Sequence, residues 1–486
     1  MDHLQSLPTE ILRLILKHLA DQFSFPSQRI EDGTNFPCML LVSHKFRNLA
    51  QPLLYRKWPP ENMQDDPWRV VPLLRSIIMR PELGRNLIDA EVQPTIGMSM
   101  NSSTVTHQDL ETLRNEIRTL HLGADERAWL AGLKKLHFDL TVPALLLASK
   151  APRLKVLRIY HSPLFPKAYS RLSQRDPSFL CKLETLSVHN VDGDYPVDIA
   201  VYGKVISLPC LSDIVFIGAY LLGDSIPSDW SPNKLALESI WLSECYVDAK
   251  AVRKLIKACK TVTVFKYSSY REYDLVHQVH GLRERPEFTA VDVHTALLPH
   301  RETLTLFHLD YSRDPIAIAT LEAYQNYCST IPKLPSLHDF PVLRTINVPH
   351  ALLPPHPYFP PSIEELCIQD CNVAAKDLIA FIAQDCRSGY YPKLRTLEIT
   401  ACDYPSMAGV YAQDEEEWFA SIRKLFRGLR VDVDFLYDGS DDDDGSDDDD
   451  GSDDDEDDDD DEDDDDDEDD EEDDEEDDED DDEEED

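Results

Sequence analysis

Leu237-Glu238-Ser239-Ile240-Trp241-Leu242-Ser243-Glu244-Cys245 is the stretch that decides the fold, because its spacing recurs along the chain. Apolar residues stand at its first, fourth and sixth positions. The same apolar spacing occurs eleven times between residues 117 and 399. Its last two apolar residues are separated by one residue, which is the alternation of a β-strand with one buried face. The chain is therefore predicted to contain a row of short, similar strands.

The spacing between copies identifies the kind of repeat. Successive middle residues are 16 to 31 positions apart, except for steps of 42 before Phe307 and 39 before Ile346. A period in the twenties with this signature is typical of leucine-rich repeats. The two long steps indicate insertions, or one unrecognised repeat each. The middle residues are Leu120, Leu136, Leu157, Leu186, Ile214, Ile240, Phe265, Phe307, Ile346, Leu366 and Leu397.

Cysteines support the repeat assignment. The repeat template places Asn or Cys three residues after the third apolar position. Cys245, Cys371 and Cys402 occupy that position. We expect them to be buried at repeat turns, and Cys259 and Cys386 to be buried at helix ends, because free cysteine commonly behaves as a small apolar residue. A thiol nucleophile or a metal site is the less favoured alternative.

Helical segments follow some of the predicted strands. Residues 248–259 and 374–386 have the apolar spacing of helices, as the outer side of a repeat coil requires. Residues 415–429 form a further amphipathic segment, predicted to cap the open end of the array. Residues 431–435 then predict one final strand.

The first 58 residues predict a small helical module. The segment from Leu7 to Leu19 has an apolar arc roughly 200° wide, about twice what one packing face requires. The excess suggests two neighbours, the module itself and a partner. A further helix is predicted through residues 39–42, and a third from Phe46 to Leu54, bent at Pro52.

Three motifs in this module resemble the F-box family. They are Leu7-Pro8-x-Glu10-Ile11-Leu12, Leu41-Val42-Ser43-x-x-Phe46 and Leu53-Leu54-Tyr55-x-x-Trp58. In that family three helices dock on the Skp-type adaptor of cullin-based SCF ubiquitin ligases. The connection between Leu19 and Met39 is longer than usual for the family.

The resemblance implies which residues form the core of the module and which contact the adaptor. Leu12, Leu16, Phe46 and Leu49 are expected to form the core of the module. The residues expected to contact the adaptor are Leu7, Pro8, Ile11, Leu14, Ile15, Val42 and Trp58. The repeats are similar to the cysteine-containing class often found behind an F-box, with the irregular lengths of fungal F-box proteins.

The inner, concave face of the array is predicted to hold the target protein. Residues between and just after the apolar positions point outward from the inner sheet. We predict a recognition patch of Tyr160, His189, Ile217 and Trp241, because exposed aromatic side chains concentrate binding energy. Alternatively, these aromatic residues lie on the surface by chance and bind nothing, and the sequence does not decide between the two interpretations.

Acidic residues are concentrated at one end of the chain. Of the 94 acidic residues, 42 lie in residues 441–486, which contain no Lys or Arg. The other 440 residues carry 52 acidic and 47 basic residues, a net charge of −5 against −47 for the whole sequence. Such a segment has nothing apolar to bury and repels itself, so it is predicted to be disordered.

The role of this tail stays open between three hypotheses. It is a solubilising brush, a binding segment for basic proteins such as histones, or a regulated segment. Ser440, Ser446 and Ser452 each precede an Asp run and resemble acidophilic phosphorylation sites.

The sequence contains none of the motifs that indicate several common classes of function. Histidines are scattered singly, and neither an HExxH motif nor a phosphate-binding glycine loop occurs. We therefore expect no enzyme activity, no cofactor or metal, no membrane segment and no direct nucleic-acid contact. Without a signal peptide the protein is expected to be intracellular, in the cytoplasm or nucleus.

These observations predict an α/β chain of four parts. Residues 1–58 are the F-box, 59–116 a linker with a first helix or degenerate repeat, 117–437 the irregular leucine-rich-repeat solenoid, and 438–486 the disordered tail. The predicted function is that of a non-catalytic substrate-recognition subunit of an SCF ubiquitin ligase, with the Skp-type adaptor, a cullin and a protein substrate as partners. The alternative is a scaffold or histone-chaperone-like protein that acts through the tail.

Overall fold

A computed structural model gives the arrangement of most of the chain. It describes residues 7–22, 43–58, 70–92, 105–134, 141–161, 164–190, 196–269, 288–311, 326, 328–371, 375–401 and 415–437. Residues 1–439 form one compact unit, and residues 440–486 are a separate unit. The predicted tail lies outside the described residues.

The strands of the described residues form one parallel sheet. They are β1 (Lys57–Trp58), β2 (Asp89–Val92), β3 (Val156–Tyr160), β4 (Thr185–His189), β5 (Val197–Asp198), β6 (Asp213–Ile217), β7 (Ala219–Leu221), β8 (Ser239–Val247), β9 (Val264–Ser269), β10 (Leu306–Asp310), β11 (Thr345–Pro349), β12 (Glu365–Cys371), β13 (Thr396–Ala401) and β14 (Asp432–Tyr437). Strands β1 to β4, β6 and β8 to β14 lie side by side in chain order, while β5 pairs with β7 and β7 with β8. Every pairing between these described strands is parallel.

One row of apolar side chains crosses the sheet from β2 to β14, and we call it the central ladder. It consists of Ala90, Leu157, Leu186, Ile214, Ile240, Phe265, Phe307, Ile346, Leu366, Leu397 and Val433. All but Val433 are buried. The middle residues of nine predicted copies, from Leu157 onward, occupy consecutive places in this ladder, so their predicted register is confirmed.

The first predicted strand is wrong, and the strand residues of the second, Leu136 and Phe138, lie outside the described residues. Ile117 lies in a helix, His107–Thr119, and Leu120 ends it. Leu133 lies in the helix Glu126–Lys134, and the rest of that predicted copy is outside the described residues. The sheet begins at Lys57 and Asp89, before residue 117. The strand Asp89–Val92 falls in the segment predicted to hold a first helix or degenerate repeat.

The two long steps of the repeat are insertions. Strand β9 pairs directly with β10, and β10 pairs directly with β11. No further strand of the described chain lies between them in the sheet. The inserted residues include 270–287 and 312–325, which lie outside the described residues.

Helices connect the strands and share their core. They are α1 (Thr9–Gln22), α2 (His44–Leu54), α3 (Val70–Met79), α4 (Pro81–Gly84), α5 (His107–Thr119), α6 (Glu126–Lys134), α7 (Thr141–Lys150), α8 (Leu164–Arg175), α9 (Gly203–Ile206), α10 (Ala249–Ala258), α11 (Ala290–Leu297), α12 (Ala375–Arg387) and α13 (Glu415–Leu425). The buried side chains of α3 to α13 and those of the strands form one continuous apolar core. The alternate strand residues stay largely half-exposed, and we call the surface that they form the open face.

A repeated turn places the cysteines in the core. Cys245 and Cys371 are buried, and a break in strand register precedes each of them. The residues before them, Glu244 and Asp370, both have φ of 51°. Such left-handed backbone is costly for a residue with a Cβ atom, so the same turn recurs at both positions despite its strain.

The N-terminal module has its own small core. Leu12 and Leu16 of α1 pack against Phe46 and Ala50 of α2. Ser43 caps α2 by accepting a hydrogen bond from the Phe46 backbone N–H at 3.2 Å. Pro52 lies inside α2, as predicted. The helix predicted through residues 39–42 lies outside the described residues.

The other end of the sheet is covered as predicted. Trp418 and Phe419 of α13 are buried, and both rings contact the ring of Phe435 in the last strand, β14. These contacts cover apolar surface that the edge of a sheet otherwise exposes to solvent.

Candidate docking surfaces

Helix α1 carries apolar side chains on both faces. Leu12 and Leu16 are each 1% exposed, because α2 covers them. Ile11, Leu14 and Ile15 are 44%, 63% and 38% exposed. The predicted division of the wide apolar arc into a buried and an exposed part is therefore confirmed. We call these three exposed residues the α1 surface.

Two other predicted contact residues lie at the start of this helix. Pro8 is exposed. Leu7 is half-buried against the core of the module, and its backbone oxygen accepts a hydrogen bond from Lys45 Nζ at 3.0 Å. Val42 lies outside the described residues.

Trp58, also predicted to contact the adaptor, is partly engaged by the sheet. It lies in β1, where it pairs with Ala90 of β2, and its half-buried ring packs against the core of the sheet. The part of the ring that packs against the sheet is not available to a partner at α1. The physical reason is that the chain enters the sheet soon after α2, at Lys57, one residue before the end of the predicted module.

The predicted recognition patch is split between two rows of the open face. Tyr160, His189 and Ile217 are aligned on adjacent strands, but the residue beside Ile217 is Ser243. Trp241 lies two residues back, beside Val215. It is 42% exposed, whereas the other three are half-buried. Three residues of the predicted patch are therefore adjacent in one row, and Trp241 lies in the neighbouring row.

His189 is held in place by its neighbours. Its Nε2 lies 2.7 Å from Ser187 Oγ, and its ring centroid lies 5.5 Å from that of Tyr160. Burial, and next the charge of Arg158, lower the pKa of His189. A serine beside a histidine is the pairing of a nucleophile and its base, but Ser187 is only 4% exposed. The pair positions the ring on the surface and leaves little of the hydroxyl accessible.

Trp241 has a cation on its ring. Lys266 Nζ lies 4.5 Å from the ring centroid, within the range of a cation–π interaction. Lys266 is the residue aligned with Trp241 on the next strand, β9. This contact fixes both side chains at the middle of the sheet.

Beyond Lys266, the same row of the open face contains residues that the sequence reasoning did not select. They are His308, Asn347, Cys367 and Glu398. Burial, and next the charge of Lys266, lower the pKa of His308 to about 4, so its ring is uncharged at neutral pH. The Cys367 thiol donates a hydrogen bond to Glu398 Oε1 at 3.3 Å.

Within the described part of the chain, two buried oxygens in this region have no hydrogen-bond partner. They are Asn347 Oδ1 and Gln369 Oε1. An unpaired buried acceptor costs about 1–3 kcal/mol of folding free energy. Their positions could be found only from the strand register, since isolated Asn and Gln residues carry no signal in the sequence.

The core cysteines are poorly suited to thiol chemistry. Burial raises the pKa of the Cys245 thiol to about 12, and that of Cys259 to about 12. Little thiolate, which is the reactive form, is then present at neutral pH. The predicted burial of Cys245, Cys371 and Cys259 is confirmed, while Cys386 is half-buried. Cys402 lies outside the described residues.

The predicted phosphorylation sites lie outside the described part of the chain, and the search for metal sites and membrane helices covers only that part. Ser440, Ser446 and Ser452 lie outside it. Within the described ranges, no group of three or more His, Cys, Asp or Glu side chains is arranged to hold a metal ion. No helix there has the length and apolar character needed to cross a membrane.

Comparison with known proteins identifies no relative. The chain matches no protein-family model, and a search of curated proteins finds no similar sequence. The fold and its surfaces define an α/β protein with an all-parallel sheet, an exposed apolar helix surface at one end and a polar open face.

Proposed function

We propose that the protein is the substrate-recognition subunit of an SCF-type ubiquitin ligase. In this proposal the α1 surface binds the Skp-type adaptor, and the open face of the sheet binds the protein to be ubiquitinated. One observation carries the proposal. Ile11, Leu14 and Ile15 are exposed on a helix whose opposite face is already fully buried. Adjacent exposed apolar side chains on a small module favour a protein partner.

The order of the sheet supports the second half of the proposal. Parallel strands that follow one another in chain order, a continuous central ladder and a recurring turn at Cys245 and Cys371 are typical of leucine-rich repeats. We propose that the sheet is a solenoid of this class, with the open face on its concave side.

The junction between the two parts suits a ligase subunit. Helix α2 ends at Leu54, and Lys57 already pairs with Asp89 in the sheet. The backbone oxygen of Arg56 accepts hydrogen bonds from the N–H groups of Ile88 and Asp89 at 2.9 and 3.1 Å. A short, hydrogen-bonded junction restricts the angle between the module and the sheet. A target on the open face is then held in a limited range of positions, and this orientation lowers the entropy cost of transfer by the other subunits.

Affinity capture from a cell extract tests the proposal. The wild-type chain is expected to recover a Skp-type adaptor and a cullin. Substituting Ile11, Leu14 and Ile15 with Asp should abolish this recovery, because charge cannot be buried against an apolar partner without large cost.

A matched control separates the surface from general hydrophobicity. Val291 of α11 is 40% exposed, close to the value of Ile11. Val291→Asp should leave the recovery of adaptor and cullin unchanged. Recovery of basic proteins alone, with neither adaptor nor cullin, would instead favour the scaffold or histone-chaperone-like alternative.

A further inference from the structure

Cations are concentrated in the two segments that lead into the last two strands of the sheet. Residues 385–395 precede β13 and residues 423–431 precede β14, and together they contain seven cations and one carboxylate, Asp385. All seven cationic side chains are exposed, and we call them the basic corner. They are Arg387, Lys393, Arg395, Arg423, Lys424, Arg427 and Arg430.

The two segments lie side by side. The Arg395 backbone oxygen accepts a hydrogen bond from the Asp432 N–H at 2.7 Å, where β14 begins. The Arg387 guanidinium donates to the backbone oxygen of Leu425, so the end of α12 is tied to the end of α13. The seven cations therefore form one surface.

Little of this positive charge is compensated within the described chain. None of the seven cations forms an ion pair with a described carboxylate. The nearby Glu364 carboxylate lies 3.8 Å from Arg344, which is not one of the seven. The acidic residues 415–417 are at the amino end of α13, about 9–12 Å along the helix axis from Arg423.

The adjoining residues that the structure does not describe add little opposing charge. Residues 402–414 contain two carboxylates and no cation, and residues 372–374 contain no charge. These segments follow the carboxyl ends of β13 and β12, whereas the basic corner precedes the amino ends of β13 and β14. Even with both carboxylates added to Asp385, seven cations face three carboxylates, so the corner keeps a net positive charge.

Two exposed tyrosines border the basic corner. Tyr390 is 67% exposed and Tyr358 61%, the highest values for aromatic side chains in the described chain. Their chain neighbours bring them close together. The Tyr391 hydroxyl donates to the Pro357 backbone oxygen at 3.3 Å, and its ring centroid lies 6.0 Å from that of Phe359. Two planar rings are thus presented beside a cationic surface.

This combination is typical of surfaces that bind single-stranded nucleic acid. Cations contact the phosphates, and unpaired bases stack on aromatic rings. A duplex holds its bases inside its own stack, so it offers the cations phosphates but offers the tyrosines no free base. An acidic peptide also neutralises cations but has no base to stack. The exposed tyrosines therefore favour a single strand over both.

We propose that the basic corner binds single-stranded nucleic acid, with phosphates against Lys393, Arg395 and Arg427 and bases stacked on Tyr358 and Tyr390. This binding does not depend on the proposed ligase function. It departs from the sequence-based expectation of no nucleic-acid contact, which rested on the absence of a motif. The corner consists of residues from separate segments, which only the register of the sheet brings together.

Fluorescence anisotropy with a labelled strand of about 12 uridine nucleotides tests the proposal, since this length is within the range of single-strand sites. The full chain is used throughout, because the 42 carboxylates of residues 441–486 repel the probe and must be the same in every variant. The wild-type chain is expected to bind the strand at low salt, and more tightly than the same strand annealed to its complement. A thymidine deoxyribose strand distinguishes the two kinds of nucleic acid. Weaker binding of it would indicate contact with the 2′-hydroxyls, and equal binding would indicate contact with phosphates and bases alone.

Substitutions of the tyrosines give the decisive result, because they change no charge. Tyr358→Ala with Tyr390→Ala should weaken binding about 30-fold or more, since each lost stack costs a factor of about five or more. Phe at both positions should restore binding, because the ring is retained. Trp241→Ala removes the other exposed aromatic ring of the described chain and should leave binding unchanged. Thermal denaturation should be little changed, because these side chains are exposed.

Charge substitutions provide the second comparison. Lys393→Gln with Arg427→Gln should weaken binding about tenfold at low salt and reduce the slope of log K against log salt by about 1.4. Neither side chain has a partner among the described residues, so folding should be unaffected. Lys257→Gln with Lys260→Gln makes the same charge change at exposed positions before β9 and should leave binding nearly unchanged.

Three results would overturn the proposal. The first is absence of binding by the wild-type chain, and the second is equal weakening by the two charge pairs. The third is a tyrosine variant that binds as tightly as the wild type while the Lys393 and Arg427 variant does not, because the corner would then attract anions in general. Adaptor binding, measured on the same variants, reports separately on the ligase function.

Discussion

Substitution by Ala should destabilise helix α1 strongly on its buried face and hardly at all on its exposed face. Leu12 is 1% exposed, in a core whose other buried members are Leu16, Phe46 and Ala50. Leu→Ala substitutions in cores cost about 2–5 kcal/mol, and a core this small can partly collapse around the cavity, so we expect about 2–3 kcal/mol for Leu12→Ala. Leu14 is 63% exposed. Leu14→Ala loses little packing and gains helix propensity, so its effect on stability should stay within about 0.5 kcal/mol.

Hydrogen exchange is the suitable assay, because melting of the whole chain reports mainly on the much larger core of the sheet. Amides of α1 exchange through local opening of the module. Leu12→Ala should speed their exchange by about 30- to 150-fold, since each 1.4 kcal/mol is a factor of ten. Leu14→Ala should leave it nearly unchanged. If both variants accelerated amide exchange equally, both faces of α1 would belong to the core. Helix α1 would then have no exposed surface for a partner.

Two further predictions concern the sheet. Gly218 has φ of +66°, and an added Cβ would lie 2.8 Å from Asn190 Cβ, so Gly218→Ala should lower the free energy of unfolding by about 2–4 kcal/mol. Gly389→Ala should cost only about 1–2 kcal/mol, because Gly389 has φ of +78° and open space around it. If urea denaturation found equal losses for the two variants, the contact with Asn190 would not explain the loss at Gly218. Burial and Lys266 lower the pKa of His308 from 6.5 to about 4, so the unfolded chain takes up the proton first and stability falls as pH drops from 6.5 to 4. His308→Gln should remove up to about 3 kcal/mol of this loss, and denaturation curves with the same pH dependence as wild type would contradict the account.

Most of the sheet could be predicted because its signal is local. The central ladder needs one apolar residue at the centre of each strand, and the alternation around Leu157, Ile240 or Leu397 marks that residue directly. The burial of Cys245 and Cys371 follows from the same register. Insertions do not disturb such a prediction, because each strand is recognised by its own residues.

The errors arose where one spacing fits two structures. Ile117 and Leu120 match the first half of the repeat, but a separation of three residues also places side chains on one face of a helix. A signal for the helix was present upstream. Thr106 and Asp109 form a capping box at the start of α5, with the Thr106 backbone N–H donating to Asp109 Oδ2 at 2.9 Å. The pairing of Lys57 and Trp58 left no such trace, because a two-residue strand has no alternation.

The sequence predicted some features of the candidate sites and not others. The exposure of Leu14 follows from helical geometry, which depends only on neighbouring residues. The neighbours of Asn347 and Gln369 depend on which strands are adjacent and on their register, and the sequence does not contain these as local patterns. The offset of Trp241 from Ile217 has the same origin.

Calorimetric titration of the purified full chain with a purified Skp-type adaptor tests the central claim most directly. The exposed fractions of Ile11, Leu14 and Ile15 together amount to about 1.5 whole side chains, worth about 2–4 kcal/mol of burial. We predict a one-to-one complex that Leu14→Ala weakens about 5- to 30-fold and that alanine at all three positions weakens about 30- to 1,000-fold. Absence of binding by the wild-type chain, or equal affinity of the wild type and the triple variant, would contradict the proposed function.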